Sequence, residues 1–218
     1  AGEGVTNPTF IEQFGFFPDS FVGNPDLEPE RTFGWDIGVE QTLADGAVVV
    51  DATYFRATVT DQIVSGFDAE AGLPTSVNDT GESARQGVEL ALTARPLPRL
   101  TVDASYTWTL AQQVSGLQEP RRPRHSGRLA ASWGFLDGRA TATAEALVVG
   151  ERRDLDFATF PAGSARLDPY VRIDVAGSYR LTDQARLFAR VENVTDADYE
   201  EVLGYSAQGI TGFAGIEV

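Results

Sequence analysis

His125 and Ser126 stand side by side in RRPRHSGR, and an imidazole beside a hydroxyl raises the chemistry of an activated nucleophile. That chemistry needs the two side chains to meet in space, which adjacency along the chain does not supply, so no catalytic residue is assigned. The same stretch holds Arg121, Arg122 and Arg124, guanidinium forks suited to the phosphates of lipid or lipopolysaccharide or to an anionic solute. In ERRDLDF, Arg152 and Arg153 precede Asp154 and Asp156, a mixed set that either hydrogen-bonds a polar ligand or closes on itself as salt bridges. VENVTDADYEEVLGY offers the carboxylates of Asp196, Asp198, Glu200 and Glu201, oxygen ligands of the kind Ca²⁺ takes. It lacks the Asp-x-Asp-x-Asp-Gly spacing of an EF-hand, so no metal site is assigned, and the acids are read as solvated charges around a packed Tyr199. Phe14, Phe16, Phe17 and Phe21 form an aromatic run that packs on itself or against an apolar ligand face.

These groups need a scaffold, and the pattern of the chain names its type. RLTVDASYTWTL places Leu100, Val102, Ala104, Tyr106, Trp108 and Leu110 on one face and Thr101, Asp103, Ser105, Thr107 and Thr109 on the other. This is period two, a strand with one apolar face. The alternation recurs at 33–40, 48–54, 88–94, 129–135, 140–148, 171–181, 187–191 and 210–218, which makes nine strands and no helix of note. Tight turns rich in Asp, Gly and Pro follow Leu43, Pro96, Leu136 and Leu181. Between them lie long connections at 66–82, 114–123, 153–167 and 195–208. Short and long alternate without exception, so an up-and-down antiparallel sheet puts all the tight turns at one rim and all the long loops at the other.

Composition narrows the classes. The 218 residues carry a net charge of −15, which disfavours nucleic acid as a partner. Cysteine is absent, which removes disulfides and thiolate metal sites, and no cofactor is implied. No apolar run is long enough for a transmembrane helix, whereas strands of about ten residues, tilted by ~45°, span the ~25 Å apolar band of an outer membrane. The faces opposite the apolar ones carry Asp36, Glu40, Asp51, Glu89, Asp103, Glu145, Arg172, Asp174, Arg190 and Glu192, as a watery lumen requires. A soluble ligand-binding β protein would alternate too, with its apolar face turned inward. A small outer-membrane barrel enzyme is the other alternative.

Three motifs carry a resemblance. VENVTDADYE, beginning at Val191, resembles the closing motif of TonB-dependent outer-membrane receptors, an Asn, an apolar residue, any residue, then Asp-x-x-Tyr. NPDLEPE, within the segment from Pro8 to Thr32, resembles that family's Asn-Pro-x-Leu-x-Pro-Glu lead into a strand, and NDTGESARQGVELAL resembles its Gly-x-Glu strand start at Gly87 and Glu89. The likeness covers essentially the whole chain in order. ERRDLDF and the GYS at Gly204 are most similar to the vitamin B12 branch, next to the siderophore receptors.

The resemblance implies an all-β, antiparallel, transmembrane β-barrel in the bacterial outer membrane, of which residues 1–218 form the C-terminal nine to ten strands of twenty-two. It implies a plug domain and N-terminal strands outside this segment, and a last strand that stops about two residues short of the family's terminal aromatic. The implied role is a non-enzymatic receptor and transporter that binds and imports cobalamin or a ferric siderophore, coupled to the TonB complex through the plug. On that reading Phe17, Phe21, Arg152, Arg153, Asp154, Asp156 and Tyr205 are the ligand-binding candidates on extracellular loops, and Arg121, Arg122 and Arg124 the contacts to lipid or lipopolysaccharide.

Overall fold

A computed structural model describes residues 1–15, 19–158 and 162–218. The nine expected strands form, most with wider bounds, together with a short first strand and three unexpected hairpins: β1 (Gly2–Thr6), β2 (Glu30–Leu43), β3 (Val48–Thr60), β4 (Ile63–Asp68), β5 (Leu73–Asn78), β6 (Glu82–Leu97), β7 (Leu100–Gln112) and β8 (His125–Phe135). They continue as β9 (Ala140–Val149), β10 (Arg152–Asp156), β11 (Gly163–Leu167), β12 (Tyr170–Arg180), β13 (Arg186–Glu192), β14 (Glu200–Val202), β15 (Tyr205–Ser206) and β16 (Thr211–Glu217). Ten of them make one sheet in the order β1-β2-β3-β6-β7-β8-β9-β12-β13-β16. The other six pair two by two as the hairpins β4-β5, β10-β11 and β14-β15, set into three of the four long connections. With the hairpins set aside, sheet neighbours are sequence neighbours, the up-and-down plan expected from the alternation of turns.

The turns show how closely local sequence dictates backbone. Ala44-Asp45-Gly46 and Leu136-Asp137-Gly138 adopt the same run of left-handed residues, with φ of 53° and 54° at the two aspartates and 87° and 81° at the glycines. Asp tolerates that region and Gly enters it freely, so the shared Asp-Gly pair yields the same tight reversal twice.

The chain divides into two compact units, the first comprising Ala1–Ile37, Phe55–Gly87 and Leu110–Glu119, the second Gly38–Tyr54, Val88–Thr109 and Pro120–Val218. In the first, a single helical turn, α1 (Phe10–Phe14), is held by a capping box: the Glu12 amide donates to Thr9 Oγ1 at 3.3 Å and the Thr9 amide to Glu12 Oε2 at 2.7 Å. The segment that follows is tied to the β4-β5 hairpin. Asn24 Nδ2 donates to the Ser76 carbonyl at 2.9 Å, Asn78 Nδ2 to the Glu28 carbonyl at 2.8 Å, and the Ile63 amide to Glu30 Oε1 at 2.8 Å. The NPDLEPE motif is thus a strap whose Asn24 and Glu30 side chains satisfy hairpin backbone, whose Glu28 backbone is satisfied in turn by Asn78, and whose Leu27 is buried beneath. Gly23 permits the strap to cross itself, since a Cβ there would collide with the backbone of Phe14 and Gly15.

In the second unit the register sorts the faces. Asp103 lies opposite Ala130, Ala130 opposite Glu145 and Glu145 opposite Asp174, a polar row across β7, β8, β9 and β12. One residue along, Ala104, Leu129, Ala146 and Ile173 form the next row, on the other face. The polar face is internally paired, with Arg128 to Glu145 at 2.6 Å, Arg172 to Asp174 at 3.0 Å and Arg190 to Glu192 at 3.2 Å.

The apolar face is bare. Leu129 and Trp133 are each 52% exposed and Ile216 56%, while the buried apolar set among the described residues is limited to Leu27, Ala111, Ala130, Ala140, Val149, Leu167 and Tyr170. A soluble sandwich or lipocalin-like barrel of this length would bury its apolar rows. These strands present theirs outward and keep charge on the other side, the arrangement of a barrel wall facing lipid.

Candidate ligand-binding site

The two most deeply buried large side chains of the second unit are polar, Asp154 and Asn193, and both belong to the long-loop end. Asp154, on β10, is 1% exposed, and its carboxylate is a junction for three segments. Oδ1 accepts from Arg121 Nε and from the Leu155 amide, both at 2.8 Å, and Oδ2 accepts from the Leu203 amide at 2.8 Å. Burial alone would raise the pKa of this carboxyl. The amides of Leu203 and Leu155, with the Arg121 guanidinium, outweigh it and hold the group below its ordinary range.

Asn193 is the second fully buried polar side chain. Its left-handed backbone, φ 52°, turns the chain out of β13. Nδ2 donates to the carbonyls of Ala197 at 2.9 Å and Gln208 at 3.2 Å, and Oδ1 accepts from the Ala197 amide at 2.9 Å, so one side chain closes both ends of the loop. Tyr199 stacks on Tyr170 with centroids 3.9 Å apart and planes 15° apart. Arg152 covers the Tyr170 ring at 5.3 Å and donates through Nη2 to the Glu200 carbonyl at 2.7 Å.

Beside this framework lies a cleft of about 760 Å³. Arg121, Arg172 and Glu192 line it with charge; Phe157, Tyr199 and Tyr205 line it with rings. Tyr205 is 74% exposed and Phe157 72%, so both rings stand free to meet a ligand. Aromatic surface with a few polar groups is the common makeup of a small-molecule site.

The residues singled out in the sequence fall into distinct places. Tyr205 lines the cleft, whereas Arg152 and Asp154 are buried in the loop framework behind it. Arg153 donates to Ser164 Oγ at 3.1 and 2.8 Å, and Asp156 accepts the Ala158 amide at 2.9 Å, a local turn bond. Phe21 is half-buried in the first unit, and Phe17, with Phe16, lies outside the described residues. Arg121 is joined to Asp154, Arg122 is engaged within the protein, and Arg124 is exposed while its carbonyl accepts the Thr109 amide. In the acidic loop, Asp196 accepts the Ile210 amide at 3.0 Å, Glu200 the Gly204 amide at 3.1 Å and Glu201 the Tyr170 hydroxyl at 3.3 Å.

Arg172 and Phe157 reach the cleft although nothing in the sequence marks them for binding. Arg172 reads as one more lumen charge in β12, and the register alone does not tell which lumen charge sits under a loop. His125 and Ser126 are adjacent in β8 and therefore point to opposite faces. The imidazole Nδ1 instead pairs with Tyr106 Oη at 2.7 Å.

A bare apolar face, a charge-paired inner face, one rim of tight turns and one of pinned loops define a β-barrel wall of the bacterial outer membrane. Residues 1–194 match the family described as TonB dependent receptor-like, beta-barrel, and the chain belongs to that family. It is 28% identical over 215 residues to the vitamin B12 transporter BtuB of Photobacterium profundum, a match that covers 95% of this chain and 32% of that protein. It is 42% identical over 59 residues, 27% of this chain and 10% of the relative, to the BtuB of Vibrio cholerae serotype O1 (strain M66-2). Among solved structures, the pyoverdine outer membrane receptor FpvA from Pseudomonas aeruginosa PAO1 superposes with a TM-score of 0.80 at 17% identity, over 99% of this chain and 33% of that one. The copper transporter OprC gives 0.76 at 18%, over 99% and 36%. The chain therefore spans about a third of the length of these full-coverage relatives.

Proposed function

We propose that this chain is the C-terminal part of the barrel of a TonB-dependent receptor, and that the whole receptor captures a large, scarce solute, cobalamin or a ferric siderophore, and imports it across the outer membrane. The observation that carries the reading is the cleft of about 760 Å³ under the long loops, ringed by Tyr199, Tyr205 and Phe157 with Arg172 and Glu192 below. Its size suits a solute larger than a sugar or an amino acid, and its rings suit a ligand with flat apolar faces. Within this chain the work is capture. Tyr205 and Phe157 supply contact area at low conformational cost, Arg172 and Glu192 orient polar groups, and the framework of Asp154, Asn193 and Tyr170 keeps the loops in place beforehand. Arg153 remains a secondary contact in this reading, Phe21 of the first unit a separate candidate, and Arg122 and Arg124 contacts to lipopolysaccharide. Energy coupling through TonB and a plug domain belongs to the longer chain.

The test is equilibrium binding of cyanocobalamin and of ferric siderophores to the full-length receptor in detergent. One of the two classes should bind, and Tyr205→Ala should weaken it by about tenfold, the scale of an aromatic contact residue. Binding of neither class, or binding that is indifferent to Tyr205→Ala and Phe157→Ala together, would sink the proposal.

A further inference from the structure

The apolar face of the second unit is not uniform. Across five neighbouring strands, Trp133 of β8, Ala142 of β9, Gly177 of β12, Ala189 of β13 and Ala214 of β16 stand in one row. After the tryptophan every position is small. The adjacent row toward the tight turns is large, with Phe135, Tyr179, Leu187 and Ile216 around Ala140. A row of missing side chains beside a row of bulky ones makes a trough in the outer face, and a groove of about 900 Å³ lies there. From β9 to β16 it crosses three strand spacings of ~4.8 Å, roughly 14 Å.

One end of the groove is charged. Arg139, exposed at the tight turn after β8, lays its guanidinium 5.3 Å over the Tyr179 ring. Its Nη2 makes two long contacts, 3.4 Å each, to the carbonyls of Arg180 and Leu181. Two other cations of this rim are matched, Arg99 with Asp137 and Arg186 with Glu217, each at 3.5 Å. Among the described residues no carboxylate pairs with Arg139. The tight-turn rim of such a barrel is the periplasmic one, so this cation sits at the headgroup level of the inner leaflet, directly beside a channel for an acyl chain.

We propose that the groove is a binding site for one anionic phospholipid of the periplasm-facing leaflet: an acyl chain lies along Ala142, Gly177, Ala189 and Ala214, and Arg139 takes the phosphate. The guanidinium offers a planar fork to the phosphodiester, and its stacking on Tyr179 fixes it at the mouth of the trough. This depends on the barrel's place in the membrane and not on which solute the receptor imports.

Native mass spectrometry of the full-length receptor with dioleoylphosphatidylglycerol tests it. The wild type should retain one lipid at detergent levels that strip the rest. Ala189→Leu, which fills the trough from the lipid side, and Arg139→Gln, at the exposed rim, should each lower that occupancy at least fivefold, and Arg139→Lys should restore part of it. Heat-modifiable gel migration confirms that each variant folds, and the two substitutions act at separate sites, so one misfolded variant leaves the other decisive. Equal occupancy in wild type and variants would overturn the proposal. So would a wild-type dimer that Ala189→Leu converts to monomer with no change in lipid, because a second copy would then own the face.

Discussion

Removing the Asp154 carboxylate should free the loop between β13 and β16 without unfolding the wall. In Asp154→Ala three donors lose their acceptor: the Leu203 amide, the Leu155 amide and Arg121 Nε. Arg121 has a side chain 47% exposed and can turn to water, so its loss counts for little. The two amides, in part-buried bonds, are another matter, because an unsatisfied donor costs up to about 1–3 kcal/mol where water does not replace the lost acceptor. Taking ~3 kcal/mol as the cost at the Leu203 contact, and a factor of ten for each ~1.4 kcal/mol, the local opening constant rises by roughly two decades. Hydrogen exchange of the full-length receptor in micelles reads this directly. Protection at the Leu203 amide should fall about a hundredfold, while Ala146 and Ile173, paired within the sheet, keep theirs. Asp156→Ala is the control: two residues away on the same strand, its carboxylate accepts the Ala158 amide and, among the described residues, holds no bond to the Leu203 loop, so it should leave Leu203 unchanged. A change of less than threefold at Leu203 in Asp154→Ala would refute the argument that this carboxylate ties the two loops together.

Acid should act through the same group. Its folded pKa is depressed, so its contribution is whole above the unfolded value of about 3.9 and is lost as pH falls through the lower folded value; Leu203 protection, corrected for intrinsic rates, should therefore be flat from pH 8 to 5 and drop only below about 4. Asn193→Ala removes three hydrogen bonds at about 1 kcal/mol each and should loosen both loop ends, raising exchange at Ala197 by roughly a hundredfold. Asn193→Asp keeps the acceptor but turns a buried carboxylate oxygen toward the Ala197 and Gln208 carbonyls, so at neutral pH it should loosen the loop at least as much as Asn193→Ala. On the wall, Val175→Arg places a cation on the lipid face and should cost about 2–4 kcal/mol if it lies near the midplane, whereas Glu145→Gln, on the inner face, should cost less than about 1 kcal/mol. Urea titration of the receptor folded into vesicles separates the two, and equal costs would invalidate the assignment of faces.

The wall was legible because a membrane strand is a one-dimensional object. Period two in RLTVDASYTWTL fixes which residues share a face, and the alternation of Asp-Gly turns with long connections fixes which rim each loop joins. Nothing beyond the chain's own spacing is needed. The hairpins β4-β5, β10-β11 and β14-β15 escaped because they are two to six residues long and their alternation is no stronger than chance in a loop. Their stability comes from partners far along the chain, Asn24 with Ser76 or Asp154 with Leu203.

The same contrast explains how the site candidates were distributed. ERRDLDF draws attention because four charges crowd into five residues, yet in the folded chain they diverge. Arg152 stacks and caps, Arg153 meets Ser164, Asp154 joins three segments, and Asp156 closes a turn. Charge density signals that a segment has polar work to do; it does not say whether the partner is a ligand or the protein. What separates the two is desolvation. A carboxylate 1% exposed with three donors already aimed at it has little capacity left for a solute, while an exposed ring such as Tyr205 has its contact area unspent. The rigid part of such a loop is therefore polar and buried, and the part that meets the ligand is aromatic and bare, the reverse of the usual rule for a soluble core.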